Sequence, residues 1–328
     1  MKKSDIVNKT KTTRLLRAAF VGYVALQTST TFAASCCGGG AGTSVILPKF
    51  NELMIEANSA YEQFDGNWNP NGQYVDEIDG QDLNELTTTL SIAKRLHDQW
   101  QFSVNLPYTR HDNQYPGETG SSSGLGDTSM SLWYEAFENV TCIYRITGWE
   151  SLKPSIYLGG QLTVPTGKSR YSDRVERSEE ITGRGFYRFD SQVMIEKTIY
   201  PWSLSVTWMY GKYLERPVNQ EYGRDIEPYD KQLGDRHSIS SSLGYTWFAK
   251  DMSMVTLSGS YTDLSEGAST IDGDRNEDDS FQKISSGLNL TYTSPRRDWF
   301  AKLGYSQADR GIRTPRSSTM SLGVGYVL

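Results

Sequence analysis

ISSGLNLTYT, residues Ile284–Thr293, decides the fold. Ile284, Leu288, Leu290 and Tyr292 share one parity; Ser285, Gly287, Asn289 and Thr291 share the other. Successive side chains of a strand point to opposite faces. One face of this segment is therefore apolar and the other is small and polar. WSLSVTWMY, Trp202–Tyr210, repeats the pattern with Trp202, Leu204, Val206, Trp208 and Tyr210 on one side. SLGVGYVL, Ser321–Leu328, repeats it with Leu322, Val324, Tyr326 and Leu328. The outward face of a soluble sandwich tends to carry Lys, Glu and Thr. Here the polar parity is mostly Ser, Gly, Thr, Asn and Gln, and alternating segments of about ten residues between turns are the signature of a transmembrane β-barrel.

Twelve such segments are expected, over 53–64, 87–96, 99–110, 127–137, 153–164, 186–199, 201–213, 237–249, 252–263, 283–293, 298–307 and 317–328. The connections alternate between tight ones, such as His97-Asp98-Gln99, Tyr200-Pro201 and Ala249-Lys250-Asp251, and long ones over 65–86, 111–126, 165–185, 214–236, 264–282 and 308–316. Outer-membrane barrels have short periplasmic turns and longer outer loops. The expected fold is all-β, an antiparallel up-and-down transmembrane barrel of about twelve strands with both termini periplasmic. The connection 138–152 is long where a short one is expected, and VTCIYRI within it has strand character. Trp100, Trp202, Trp247 and Trp299 lie close to tight turns on the outward parity, where an interfacial aromatic girdle belongs.

The start of the chain reads as an export signal. Lys2, Lys3, Lys9, Lys11, Arg14 and Arg17 precede the apolar run Ala18–Leu26, and Thr31, Ala33, Ala34 and Ser35 supply small residues after it. That order matches a secretory signal peptide, and the run is too short to span a bilayer as a helix. The expected organisation is a signal peptide over 1–35, a flexible Cys/Gly-rich segment over 36–50 and the barrel over 51–328. Removing 1–35 takes six bases and one acid, leaving 27 basic against 38 acidic residues, net −11. That balance argues against a nucleic-acid partner.

Twelve strands tilted by about 40° and spaced about 4.8 Å give a backbone diameter of roughly 24 Å, wide enough for small solutes once side chains fill the rim. The expected pore-lining residues are Glu56, Asn58, Arg95, Gln101, Asn105, Glu135, Gln161, Arg188, Asp190, Gln192, Glu196, Asn289 and Lys302. Both charge signs occur among them, because charges on the lipid face at mid-depth cost several kcal/mol, ~2–4 for Arg or Lys.

Two stretches carry a resemblance. GLGDTSMSLWYEAF, Gly124–Phe137, puts a Gly-x-Gly-Asp turn at the head of a strand, and GGQLTVPTGKS, Gly159–Ser169, ends the next strand in Val-Pro-Thr-Gly. This pairing resembles the outer-membrane transporter family linked to phenol meta-cleavage pathways, over roughly 85–328. The resemblance implies a barrel that moves small organic solutes. Gly126 and Asp127 are expected to cap the strand turn, and Pro165 to end a strand where no ladder donor is needed.

No cofactor motif is present, and an enzyme is not expected. The chain has three histidines, His97, His111 and His237, and no Gly-x-Ser-x-Gly elbow. Ser238 and Ser240 near His237 have the opposite parity to it, so they do not form a nucleophile–base pair. Asp272, Asp274, Asn276 and Asp278 alternate as in a calcium loop, without the glycine at the sixth position; the choice lies between a solvated acidic loop and a weak divalent site. The loops 65–86 and 264–282 are acidic and favour cations at a mouth. Cys36 and Cys37, with Cys142, leave several outcomes open in an oxidising compartment: a disulfide from one of the pair to Cys142, lipidation of Cys36, a metal site that includes His97, or free thiols. The function expected is a passive outer-membrane channel of a Gram-negative cell for small solutes, with outer-membrane lipid and lipopolysaccharide as surroundings. The alternative is a non-conducting barrel whose charged outer loops bind a partner or a surface.

Overall fold

The computed structural model describes residues 46–48, 51–76, 80–137 and 142–328. The expected signal peptide, Cys36 and Cys37 lie outside the described residues, and of Cys142 only the backbone is described.

Twelve antiparallel strands close into one barrel: β1 Leu53–Trp68, β2 Asp82–His97, β3 Trp100–Tyr115, β4 Thr128–Phe137, β5 Ser155–Val164, β6 Arg188–Ile199, β7 Trp202–Tyr213, β8 Arg236–Phe248, β9 Met254–Glu266, β10 Phe281–Thr293, β11 Trp299–Ile312 and β12 Thr314–Val327. Each pairs with its sequence neighbours, and β12 returns to β1 with Val327 opposite Met54 and Thr314 opposite Trp68. Closure removes the free edges that would otherwise expose backbone polar groups to lipid. Among the described residues no helix is long and apolar enough to cross a membrane; the strands do the crossing.

The alternation read from the sequence sets the wall. Leu288, Leu290, Leu322, Val324, Leu204 and Leu243 are outward and exposed, while Gly323, Gly325, Ser131 and Gln161 on the other parity are buried. Near the tight turns, Trp100 meets Tyr134, Trp202 meets Tyr245 edge to face, Tyr245 meets Trp247 and Tyr292 meets Trp299, with ring centroids 4.7–5.2 Å apart. These rings form the aromatic belt expected at that end. An even strand count puts the start of β1 and the end of β12 together there, where Leu328 N donates to Leu53 O (2.8 Å).

The other end departs from expectation. β2 and β3 run on past the apolar belt, with Asn84, Arg110 and Asp112 outward at that level, and the strand Glu118–Leu125 pairs with β3. The long connection expected over 308–316 is almost wholly strand: β11 and β12 meet at Arg313, whose φ is 48°. Residues on both faces there are polar because the strands stand in water, so no lipid-facing residues mark them. The loops expected over 214–236 and 264–282 contain the hairpins Arg216–Glu221/Arg224–Gln232 and Ser269–Ile271/Asp274–Asn276, joined in a four-stranded sheet. At the tight-turn end, the described part of the 138–152 connection contains the two-residue strand Cys142–Ile143, parallel to Thr198–Ile199, and a short 3-10 helix, Trp149–Leu152.

Candidate solute path through the barrel

All thirteen residues expected to line a pore occupy the inward parity, and they fall into distinct groups. Along β2 to β4, Ser91 Oγ donates to Asn105 Oδ1 (2.7 Å) and Asn105 Nδ2 to Ser129 Oγ (3.1 Å). Along β4 to β6, Gln161 Oε1 accepts from Ser131 Oγ (3.1 Å) and Gln192 Nε2 (3.2 Å), and Gln161 Nε2 donates to Asp190 (3.3 Å). Arg188 Nε donates to Asp190 (2.7 Å) and its Nη1 to the Tyr213 hydroxyl (3.2 Å), which donates to Glu266 (3.1 Å). Across β10 to β1, Lys302 pairs with Glu56 (3.0 Å) and Lys283 with Glu62 (3.1 Å). Asn289 Nδ2 donates to Ser260 Oγ (3.5 Å), and Glu135 is buried. Asn58 Oδ1 is buried without a partner among the described residues. Glu196 stands opposite Ser155 and Ser205 on adjacent strands. The interior is thus polar, with most of its charges compensated side by side.

Among the described residues, two segments enter this space. At the tight-turn end Leu47 is buried with the inward residues Met54, Ala93, Phe300 and Val327. Leu47 N donates to Gln101 Oε1 (2.7 Å), and Arg95 holds the same segment through the carbonyls of Pro48 (3.1 Å) and Asn51 (3.0 Å). The tip of the Phe300 ring abuts Gly325, where a Cβ would come within 2.1 Å of it. The result is an apolar stopper inside a polar tube. Arg95 and Gln101 act as its clamps.

At the other end, residues 165–187 between β5 and β6 fold over the lumen. Tyr171 and Phe186 pack with Tyr213 and Val218, and the Arg216 guanidinium lies 5.6 Å from both the Tyr171 and Phe186 rings. The two motifs behind the family resemblance meet at the base of this loop. Thr166 Oγ1 donates to Gly126 O (2.6 Å), while Asp127 accepts from Gly167 N (3.1 Å) and Arg184 N (2.7 Å). One carboxylate therefore ties both ends of the loop to the head of β4. The Arg184 side chain pairs with Glu266 on β9. The loop tip reaches inward to β3 and the strand paired with it: Glu179 O accepts from Ser122 Oγ and contacts His111 Nδ1 (2.8 Å), and Arg177 pairs with Glu118 (2.7 Å). His111 Nε2 in turn contacts Glu85 (3.1 Å). Ser122 lies beside His111 on the neighbouring strand, and its hydroxyl is spent on the loop carbonyl.

Arg184, Tyr213, Glu266 and the stopper residue Leu47 were not among the residues expected from sequence. The apolar residues Tyr171, Val175 and Phe186 inside an otherwise polar loop were the available sign that it folds inward. The quartet Asp272, Asp274, Asn276 and Asp278 is not gathered around one point: Asp272 sits in the hairpin turn and accepts from Asp230 N, and Asn276 caps Asp278 N. Among the described residues no group of three or more His, Cys, Asp or Glu is placed to hold an ion. Loop acids meet bases instead, as in Lys231–Asp279 (2.7 Å) and Arg275–Glu277 (2.5 Å).

A closed antiparallel barrel with an apolar outer face, an aromatic belt and a polar interior is a transmembrane β-barrel of the outer-membrane type. Within that class, residues 64–322 match the family described as "Putative MetA-pathway of phenol degradation", and the chain belongs to this family. Its fold is similar to that of an outer membrane channel from Pseudomonas putida F1, at 13% identity and a TM-score of 0.65, covering 88% of this chain and 100% of that one. The β domain of the Bordetella autotransporter BrkA (10% identity, TM-score 0.47, 85% and 100% covered) and the NanC porin (11%, 0.44, 84% and 100%) also align. No curated protein matches the sequence.

Proposed function

We propose that the protein is an outer-membrane channel through which small organic solutes cross passively, with the tight-turn end and both termini in the periplasm and the long connections outside, beside lipopolysaccharide. The observation that carries this reading is the lining: inward positions from Glu56 and Lys302 near one end to Arg188 and Glu266 near the other are polar and largely charge-compensated. Such a surface keeps a water-filled path wet without holding one ion tightly. The asymmetry of the connections and the even strand count support the orientation. The family's link to phenol degradation supports organic solutes. Single-channel recording in planar bilayers is the test, and discrete steps from the purified barrel are expected.

A second reading has an observation in its favour. The Leu47 stopper and the 165–187 loop both occupy the lumen, as they would in a non-conducting barrel whose charged outer loops bind a partner or a surface. Many membrane insertions without a single step would decide for it.

A further inference from the structure

Between the tip of the crossing loop and the β1–β3 wall lies a cavity of about 320 Å³, bounded by Phe64, Leu83, Asn113, Tyr115, His111 and Glu179, among others. Its walls are laid down in rows. Phe64, Leu83 and Asn113 are side-by-side partners on β1, β2 and β3. The next row toward mid-barrel is Glu62, Glu85 and His111. Phe64, Leu83, Tyr115 and Pro315 give it apolar surface, and Asn67, Gln81 and Asn113 add carboxamides. The charges at its floor are already spent: Glu85 faces His111 at 3.1 Å and Glu62 faces Lys283 at 3.1 Å.

We propose that this cavity is an entry subsite for a ring-sized, uncharged organic solute that carries a hydrogen-bonding group. The assignment rests on the channel reading and adds where a solute is first held and which charge state is selected. The volume is at the lower end of small-molecule sites, which are mostly apolar with a few placed polar groups. The ring body lies on Phe64, Leu83 and Tyr115, and its hydroxyl or carbonyl meets the carboxamides. A carboxylate would face the Glu85 carboxylate and the Glu179 carbonyl, with no unspent base among the described lining residues to receive it. Burying an unpaired charge in such a place is costly.

Calorimetric titration of the full-length barrel in micelles, against matched empty micelles, tests this with benzyl alcohol, benzoate and glucose. Saturable benzyl alcohol binding is expected, with benzoate weaker by about tenfold or more and no glucose binding for want of an apolar body. Leu83→Trp fills the cavity from the wall and Ser178→Trp from the loop side. Either, in a variant whose far-ultraviolet circular dichroism matches the parent, is expected to abolish benzyl alcohol binding. Benzoate bound as tightly as benzyl alcohol, or binding that survives in both folded variants, overturns the site. A parent barrel that conducts yet shows no saturable benzyl alcohol binding overturns the site and leaves the channel. Binding without conductance supports the site and removes the channel.

Discussion

Lys302 on β11 reaches across β12 to Glu56 on β1, with Nζ 3.0 Å from both carboxylate oxygens. The strand between them carries Gly323 at that level, so no side chain stands in the way. The pair joins three strands at the seam where the barrel closes. It also places one positive and one negative charge on the lumen wall.

Removing one member exposes the other. Glu56→Gln is expected to shift the reversal potential in a salt gradient toward anion preference, and Lys302→Met toward cation preference. The double variant is expected to return close to the parent, because the two charges cancel. The shifts should grow at low ionic strength, where screening reaches about 30 Å at 0.01 M against 10 Å at 0.1 M. Shifts of the same sign in both single variants would remove these residues from the conducting path.

Leu47 is held in an apolar cluster with Met54, Ala93, Phe300 and Val327. Leu47→Asp puts a carboxylate among them with nothing to pair it, at a cost of several kcal/mol unless the segment withdraws. Withdrawal is expected, and single-channel conductance should rise. Leu47→Met keeps the volume and should leave conductance near the parent value. Equal conductance in all three proteins would mean that the stopper does not limit flow.

Asp127 accepts from Gly167 N and Arg184 N and so fixes both ends of the crossing loop. Hydrogen bonds to a charged group contribute about 1.5–3 kcal/mol each. Asp127→Ala is expected to lower stability by roughly 3 kcal/mol or more in denaturant titration and to make the loop the first site of limited proteolysis. Cleavage that starts instead in the 214–235 hairpin would speak against this anchor.

The loop tip rests on a titratable contact that stands above the lipid belt, where Asn84, Arg110 and Asp112 face outward. The Glu85 carboxylate holds the His111 imidazole above its ordinary 6.5; burial opposes this and the Glu179 carbonyl assists. Burial pushes the Glu85 carboxyl up, but His111 and the Thr87 hydroxyl outweigh it and leave it below its ordinary 4.5. The histidine's contribution is complete below 6.5 and is lost as pH rises through the raised value. The carboxylate's is present above 4.5 and is lost as pH falls through the lowered value. The loop is therefore held most firmly between the two ordinary values. Conductance should be lowest in that window and increase as pH rises past it. His111→Gln is expected to flatten the alkaline rise, and a rise of the same size in that variant would assign the effect elsewhere.

The wall was legible from sequence because lipid enforces it. Leu288, Leu290 and Tyr292 must be apolar, and Gly287, Asn289 and Thr291 need only avoid the lipid. Where β11 and β12 leave the bilayer, QADRGIRTPRSS has no apolar parity, and the strand became invisible although its ladder continues. The inward set was found by parity alone. Its partners were not: Glu266 lay in what read as a loop, and Arg184 comes from a segment whose path depends on tertiary contact. Gly124–Asp127 and Pro165–Gly167 stood out as motifs, but their interlocking through Thr166 and Asp127 needs two strands in register. Leu47 gave no sign, since one leucine beside a proline carries no periodicity.

Each of the twelve barrel strands is bonded on both sides, so the width of the tube follows from the number of strands and their tilt and not from any particular side chain. The wall and its lining are therefore set by separate residues. Outward positions can drift among apolar residues and inward ones among small polar residues while the ring keeps its calibre. An outer membrane channel can consequently share this architecture at a TM-score of 0.65 with only 13% of its residues in common. A different lining then requires no new wall, only a new stopper, a new loop or a new row of side chains at the mouth.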